Sequence, residues 1–146
     1  MTEVSGELVI RRDVEDVFDT VADERNTYDP RQRSGELLTG EPIGVGSRFR
    51  TEIMSMGRPV PMTVEITEYD RPHGLASVTH SPGLDIHSRL RFDPVEGATR
   101  MRWSSEIRPH GLMRLLIPIL GVIGRRQTAA IWRGLKQTVE EQEAGP

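Results

Sequence analysis

The chain has 146 residues, which is enough for one domain with a core of its own. Its 19 basic and 22 acidic residues give a net charge of -3, so it lacks the strongly basic surface of a nucleic-acid-binding protein. The absence of cysteine excludes disulfides, thiolate nucleophiles and thiolate metal ligands. Because residues 1–7 lack the basic and apolar regions of a signal peptide, we expect a cytoplasmic protein.

The N-terminal part of the chain predicts a strand and then a short helix. Val4, Leu8 and Ile10 alternate with polar residues, as in a strand buried on one face. Asp13 is placed to cap the following helix, and the polar segment 24–35 predicts a loop before a brief strand near 36–39. The apolar stripe of this helix is Val14, Val17, Phe18, Val21 and Ala22.

From about Gly46 to Arg108 the chain alternates apolar and polar residues with a period of two, which predicts a meander of antiparallel strands. Turn residues recur at 44–46, 57–59, 70–72, 81–83 and 94–97, so we count six strands after the helix. The whole pattern predicts one α+β domain over 1–142 with a curved, seven-stranded antiparallel sheet, and a frayed tail over 143–146.

The alternation also predicts which residues share the inner face of this sheet. If each hairpin is centred on its turn residues, one row across the strands contains Thr51, Val64, Ser77, Ser88 and Ser105. Four of these five residues carry hydroxyl groups. Such a row is compatible with an ordinary core, in which hydroxyls bond to backbone, or with the wall of a cavity that holds a partly polar ligand. We favour the cavity, because small side chains under a curved sheet leave space unfilled.

The same register makes predictions for the outer face. It pairs Arg50 with Glu65, and Asp93 with Arg100, which favours the register because opposite charges attract across strands. It also pairs two arginines, Arg91 and Arg102, and this counts against it.

Apolar residues recur at helical spacing over 112–139, which predicts one C-terminal helix of about 30 residues and roughly 45 Å. Pro118, Gly121 and Gly124 interrupt its first third. The interruption is either a structural kink or a gate over the cavity mouth. The most apolar stretch, 112–123, is shorter than the roughly 20 residues that a transmembrane helix needs, so we predict no transmembrane segment.

The order of these elements, together with the segments 17–18, 21–23, 44–49 (GVGSRF), 97–103 (GATRMRW) and 135–136, resembles the START-like SRPBCC superfamily, in its polyketide cyclase/dehydrase and lipid-transport branch. The resemblance covers nearly the whole chain. It implies a helix-grip fold, in which the sheet wraps around the long C-terminal helix and encloses an apolar cavity. The chain departs from the family pattern at two places. It has Asp13 where a proline commonly begins the first helix, and it has Tyr28-Asp29-Pro30 where a tryptophan often follows that helix.

We expect ligand contacts on both walls of this cavity. Tyr28, in the loop after the first helix, is the best candidate for an acid or anchor at the mouth, although Asp29 and the loops could also reach inward. Trp103 offers a stacking surface unless it is an ordinary core residue. The predicted ligand-binding residues are Tyr28, Phe49, Thr51, Val64, Ser77, Thr79, Ser88, Leu90, Trp103, Ser105, Leu116, Ile119 and Ile123.

No nucleophile elbow, phosphate loop, dinucleotide fingerprint or zinc-protease motif is present in the sequence. His80, Asp85 and His87 flank one turn and fall on the outer face, with Glu106 opposite His87. We interpret this group as a solvated cluster, and we predict no metal and no cofactor.

Three functions remain open: a carrier of a small hydrophobic molecule, a polyketide cyclase or dehydratase, and a protein-interaction module that uses 112–123. The assigned strands place no carboxylate, histidine or lysine inward, and this favours the carrier over acid/base catalysis. We expect no nucleic-acid partner. The sequence leaves the ligand, any reaction and the formation of a homodimer undetermined.

Overall fold

The computed structural model describes residues 2–26, 32–55, 57–111, 126, 129–137 and 139–140. The strands are joined in the order β1-β7-β6-β5-β4-β3-β2, and every neighbouring pair is antiparallel. This confirms the predicted α+β class and the seven-stranded antiparallel sheet. The elements are β1 (Thr2–Ile10), α1 (Val14–Ala22), β2 (Gln32–Leu37), β3 (Arg48–Ser55), β4 (Arg58–Asp70), β5 (Gly74–Ser81), β6 (Leu84–Val95), β7 (Ala98–Pro109) and α2 (129–137, with 139–140 also helical).

Helix α1 forms where the sequence predicts it. The Asp13 side chain accepts a hydrogen bond of 2.9 Å from the backbone N–H of Asp16, and so caps the first turn. Glu15 and Asp16 in that turn lie near the positive end of the helix dipole. The apolar stripe is buried against the sheet, where the Phe18 ring meets Phe92 edge-on at 5.4 Å between centroids.

The strand predicted near 36–39 begins earlier, at Gln32. The predicted loop 24–35 therefore ends before Gly35, which already pairs with Thr51 of β3. A bulge lies between Gln32 and Ser34. Backbone pairing with β3 makes this polar segment a strand, and the polar composition alone could not indicate it.

The inner face of the sheet is the face that packs against the two helices. One part of this face holds a cluster of buried side chains from the strands and from both helices. We call this part the packed end. Leu135 and Val139, two positions of the predicted C-terminal stripe, are 0% exposed in this cluster. Other members include Ile10, Val17, Phe18, Val21, Phe49, Val64, Leu75, Leu90, Phe92 and Met101.

The predicted C-terminal helix is described only in its second half, which is helical at 126, 129–137 and 139–140. Its first half, with Pro118, Gly121 and Gly124, lies outside the described residues. A single helix of about 30 residues is therefore not confirmed, and the choice between kink and gate stays open. None of the helices in the described part of the chain is long and apolar enough to cross a membrane.

The predicted row of inner-face residues is correct for three of its five members. Ser77 pairs with Ser88, and Ser88 pairs with Ser105, because two-residue turns before Leu84 and before Ala98 set the register of β5, β6 and β7. Gly83 and Gly97 in these turns have φ of 90° and 70°, which favours glycine.

The other two members of the predicted row lie elsewhere. Val64 pairs with Phe49 and Thr79, and Thr51 pairs with Met62. The two hairpins differ from the prediction for different reasons. The short connection between Ser55 and Arg58 sets Thr51 two residues away from its predicted partner. The turn over 71–73 moves the pairing of β4 and β5 by three residues, and the bulge between Ile66 and Glu68 reduces this shift to two. A shift of two keeps every side chain on its predicted face, because the side-chain period of a strand is two.

Of the charge pairs predicted on the outer face, the one between β3 and β4 is wrong and the two between β6 and β7 are correct. The predicted pair of Arg50 and Glu65 is wrong, since Glu65 lies opposite Arg48. Asp93 lies opposite Arg100, as predicted, and Arg91 lies opposite Arg102. The two arginines are tolerated because the Arg102 guanidinium turns to Asp93, at 2.7 Å between Nη2 and Oδ2.

Candidate functional site

Three serines, Ser77, Ser88 and Ser105, lie side by side on the inner faces of β5, β6 and β7, and we call them the serine strip. The Oγ atoms of Ser88 and Ser105 are 3.2 Å apart and share a hydrogen bond. The row continues with Val4 on one side and Ile66 on the other, which are 4% and 2% exposed. All three serines remain partly exposed between these buried aliphatic side chains.

Thr79 extends this polar area by one position along β5. It pairs with Val64 and Ile86, and its side chain is partly exposed as well. The side chains of Ser77 and Thr79 form no hydrogen bond with any residue that the structure describes. Their hydroxyl groups are therefore free to bond to water or to a ligand.

Trp103 lies on the inner face one row from the serine strip, and it pairs with Gly6 of β1. A Cβ atom added to Gly6 would lie 2.5 Å from Cζ2 of the indole, so the ring rests directly on the glycine backbone. The ring also meets Trp132 of α2, at 5.9 Å between centroids. The indole Nε1 is enclosed and has no hydrogen-bond partner within the described residues, so Trp103 offers its ring rather than its N–H group.

Phe49, Thr51, Val64 and Leu90 were predicted to contact the ligand. The structure places Phe49, Val64 and Leu90 in the packed core, at 0%, 5% and 6% exposure. Thr51 is 3% exposed on β3. A role in ligand binding stays a prediction for these four residues. The serine strip, Thr79 and Trp103 lie on the same inner face and are more exposed than these four residues.

The opposite wall of the predicted site cannot be placed. Leu116, Ile119 and Ile123 lie outside the described residues, and so does Tyr28, the candidate acid at the mouth. The described residues therefore provide one wall, formed by the sheet, and the floor, formed by the packed end.

No charged side chain lies on this wall. Along the described strands β3 to β7, the inward positions carry apolar, aromatic or hydroxyl side chains, except for the exposed Arg58 at the start of β4. The other charged residues of these strands occupy the alternate positions on the outer face. Arg12, a partly buried charged residue just after β1, pairs with Asp16 at 2.9 Å. The site therefore has no general acid or base within the part of the chain that is described.

The outer face holds His80 and His87, as predicted. His80 and Asp85 pair across β5 and β6, with 3.2 Å between Nδ1 and Oδ1, and His87 lies opposite Glu106. Among the described residues, no three histidine or acidic side chains converge closely enough to hold a metal ion. A shallow pocket of about 380 Å³ lies on this side of the sheet, between Arg50, Thr63 and His80.

Two features of the site were missed in the sequence. Gly6 in the middle of β1 is a signal for close approach of another group, which the structure identifies as the Trp103 ring. Glu140 accepts hydrogen bonds from Lys136 and Arg11 and so attaches the helical end to β1. The bond from Lys136, with Arg11 adding to it, holds the Glu140 pKa below its usual value.

The fold is shared with several solved proteins of low sequence identity. A START superfamily protein from Mycobacterium smegmatis superposes with a TM-score of 0.84 at 12% identity, covering 97% of this chain and 99% of that one. A protein from Thermus thermophilus gives 0.80 at 20% identity, covering 96% and 98%. The Zhui aromatase/cyclase from a Streptomyces species gives 0.80 at 12% identity, covering 96% and 94%.

The sequence comparison gives the family. No functionally curated protein matches the chain. A sequence model described as polyketide cyclase / dehydrase and lipid transport matches residues 1–141. This match covers nearly the whole chain and agrees with the resemblance of segments 44–49 and 97–103. The chain belongs to the polyketide cyclase/dehydrase and lipid transport family.

Proposed function

We propose that this protein binds a small, mainly apolar molecule between the inner face of its sheet and its C-terminal helical segment. The family and its structural neighbours fit this function. The observation that carries it is the uncharged, partly exposed wall formed by the serine strip and Thr79 beside a fully packed end. Closure of the sheet on a long C-terminal helix, as in a helix-grip fold, is part of the proposal.

The energetics favour a ligand with some polar character. Burial of about 300 Å² of apolar ligand surface gains roughly 7 kcal/mol, whereas association costs at least about 4 kcal/mol. Apolar burial alone therefore gives weak binding. The hydroxyl groups of the serine strip are the polar contacts that can strengthen it.

Filling the site tests the proposal. In the double variant Ser77→Leu with Ser88→Leu, two larger side chains occupy the wall, and we expect the affinity for an apolar fluorescent probe to fall at least about tenfold. The control is Ser5→Leu, on the outer face of β1, which adds the same side chain away from the site. Circular dichroism checks that all variants are folded. A folded double variant with the parent's affinity would exclude this wall as the binding site.

Other expectations stand beside this proposal as predictions. A cyclase or dehydratase would need a reacting group at the site, and Tyr28, the best candidate, lies outside the described residues. An interaction surface over 112–123 lies outside them as well. The organisation as one domain over 1–142, the cytoplasmic location, the absence of a nucleic-acid partner and the formation of a homodimer are not tested by the fold.

A further inference from the structure

The hydroxyl groups of the serine strip leave hydrogen-bonding capacity unused. Ser88 and Ser105 share one hydrogen bond, so only one of their two hydroxyl protons is donated within the pair. The second proton has no acceptor among the described residues, and Ser77, directly opposite Ser88, forms no side-chain hydrogen bond with a described residue. Three adjacent hydroxyls therefore present at least two free donors and several free acceptor positions to the interior.

The described neighbours of the strip include no charged partner for these groups. Its neighbours in the row are the aliphatic Val4 and Ile66, and the adjacent row contributes Leu90 and Trp103. A buried ion needs a counter-charge or a metal, because its desolvation is otherwise far too costly. The inward positions next to the strip supply none, and the charged residue at an inward position of β4, Arg58, lies exposed at the far end of that strand.

We infer that the ligand of this site is electrically neutral and carries an alcohol or ketone oxygen that meets the serine strip. This inference rests on the proposed function and narrows it to a chemical class. A free hydroxyl can donate to a ketone and can also accept from an alcohol, so both oxygen types match the strip. A carboxylate or ammonium group on the same apolar skeleton does not match, because it would lose its hydration without gaining an opposite charge.

Four probes with one skeleton test this class: naphthalene, 2-naphthol, 2-acetonaphthone and 2-naphthoate, each measured by equilibrium dialysis near neutral pH. We expect the alcohol and the ketone to bind about tenfold more tightly than naphthalene, as one good neutral hydrogen bond predicts. We expect the carboxylate to bind more weakly than naphthalene. Binding of 2-naphthoate as tight as that of 2-naphthol overturns the inference of a neutral ligand.

Variants test whether the serine strip causes the preference for 2-naphthol over naphthalene. In Ser77→Ala and in Ser88→Ala, the advantage of 2-naphthol over naphthalene should fall to threefold or less, while naphthalene binding itself is nearly unchanged. The outer-face variant Ser5→Ala should retain the parent's ratio. An unchanged ratio in both inner-face variants overturns the assignment to the serine strip. If none of the four probes binds the parent protein, the proposed function itself is contradicted, and the inference falls with it.

Discussion

The contact between Gly6 and Trp103 sets the position of the largest side chain on the inner face. Any side chain at position 6 would push the indole away from β1, because its Cβ would lie 2.5 Å from a ring carbon. The ring also contacts Trp132. Glycine normally weakens a strand, so its presence here is explained by the ring that it admits.

Substitution of this glycine should therefore destabilise the fold although alanine is the better strand residue. For Gly6→Ala we expect a loss of about 1 to 3 kcal/mol in the free energy of unfolding, the usual range for overpacking. We also expect a changed near-ultraviolet circular dichroism signal from the displaced indole. Gly40→Ala is the control, since a Cβ there meets no atom within 4 Å. A Gly6→Ala protein with the parent's stability and spectrum would contradict the close contact.

At the scale of single elements, helix α1 depends on its first turn. Asp13 supplies the cap, and no other side chain among the described residues accepts from the Asp16 N–H group. Asp13→Ala should lower the free energy of unfolding by about 1 kcal/mol, measured by urea denaturation. Asp13→Asn keeps an accepting oxygen and should retain most of the stability. Equal losses in the two variants would show that the carboxylate charge, rather than the cap, stabilises the helix.

The strands show how far a sequence can predict this sheet and its site. Alternation of apolar and polar residues was sufficient to identify the inner face, because this pattern belongs to each strand by itself and does not depend on how the strands pair. Pairing between strands depends on turn length and bulges, so Ser77, Ser88 and Ser105 were aligned correctly across tight turns whereas Thr51 and Val64 were not. The bulge between Ile66 and Glu68 has no clear sequence signal.

Contacts between distant parts of the chain were beyond sequence analysis. Gly6 and Trp103 are an example, since an isolated glycine in a strand pattern indicates a close approach without naming the group that approaches. The packing of Leu135 and Val139 was predicted from helical periodicity, but the residues that they meet were not. For the predicted site residues on the strands, the sequence indicates on which face of the sheet each side chain lies. It does not indicate how exposed each side chain is.

At the scale of the whole molecule, three charged residues join the C-terminal helical segment to β1 and the residue that follows it. We call Arg11, Lys136 and Glu140 the clasp. Lys136 donates from Nζ to the Val9 carbonyl at 3.0 Å and to Glu140 Oε2 at 2.6 Å. Arg11 donates to the other oxygen of Glu140 at 3.2 Å. The clasp holds the helical end against β1 beside the packed end, so it supports the floor of the proposed site.

Removal of the Glu140 charge should weaken the clasp in a pH-dependent way. The hydrogen bond from Lys136, followed by that from Arg11, lowers the pKa of Glu140 from its usual 4.5, so the folded state favours the ionised form. The stabilisation is therefore complete above pH 4.5 and is lost as the pH falls through the lower pKa of the folded state. Glu140→Gln should have a lower urea midpoint than the parent at about pH 7, and the difference should shrink as the pH falls through the lowered pKa of Glu140.

Glu96→Gln provides the matched control for this pH series. Glu96 lies in the turn between β6 and β7 and forms no ion pair with a described residue, so the same substitution there should leave the urea midpoint unchanged at every pH. A difference between Glu140→Gln and the parent that persists undiminished at low pH would mean that shape or packing, rather than charge, accounts for the effect. Equal midpoints of Glu140→Gln and the parent at neutral pH would mean that the clasp does not stabilise the fold.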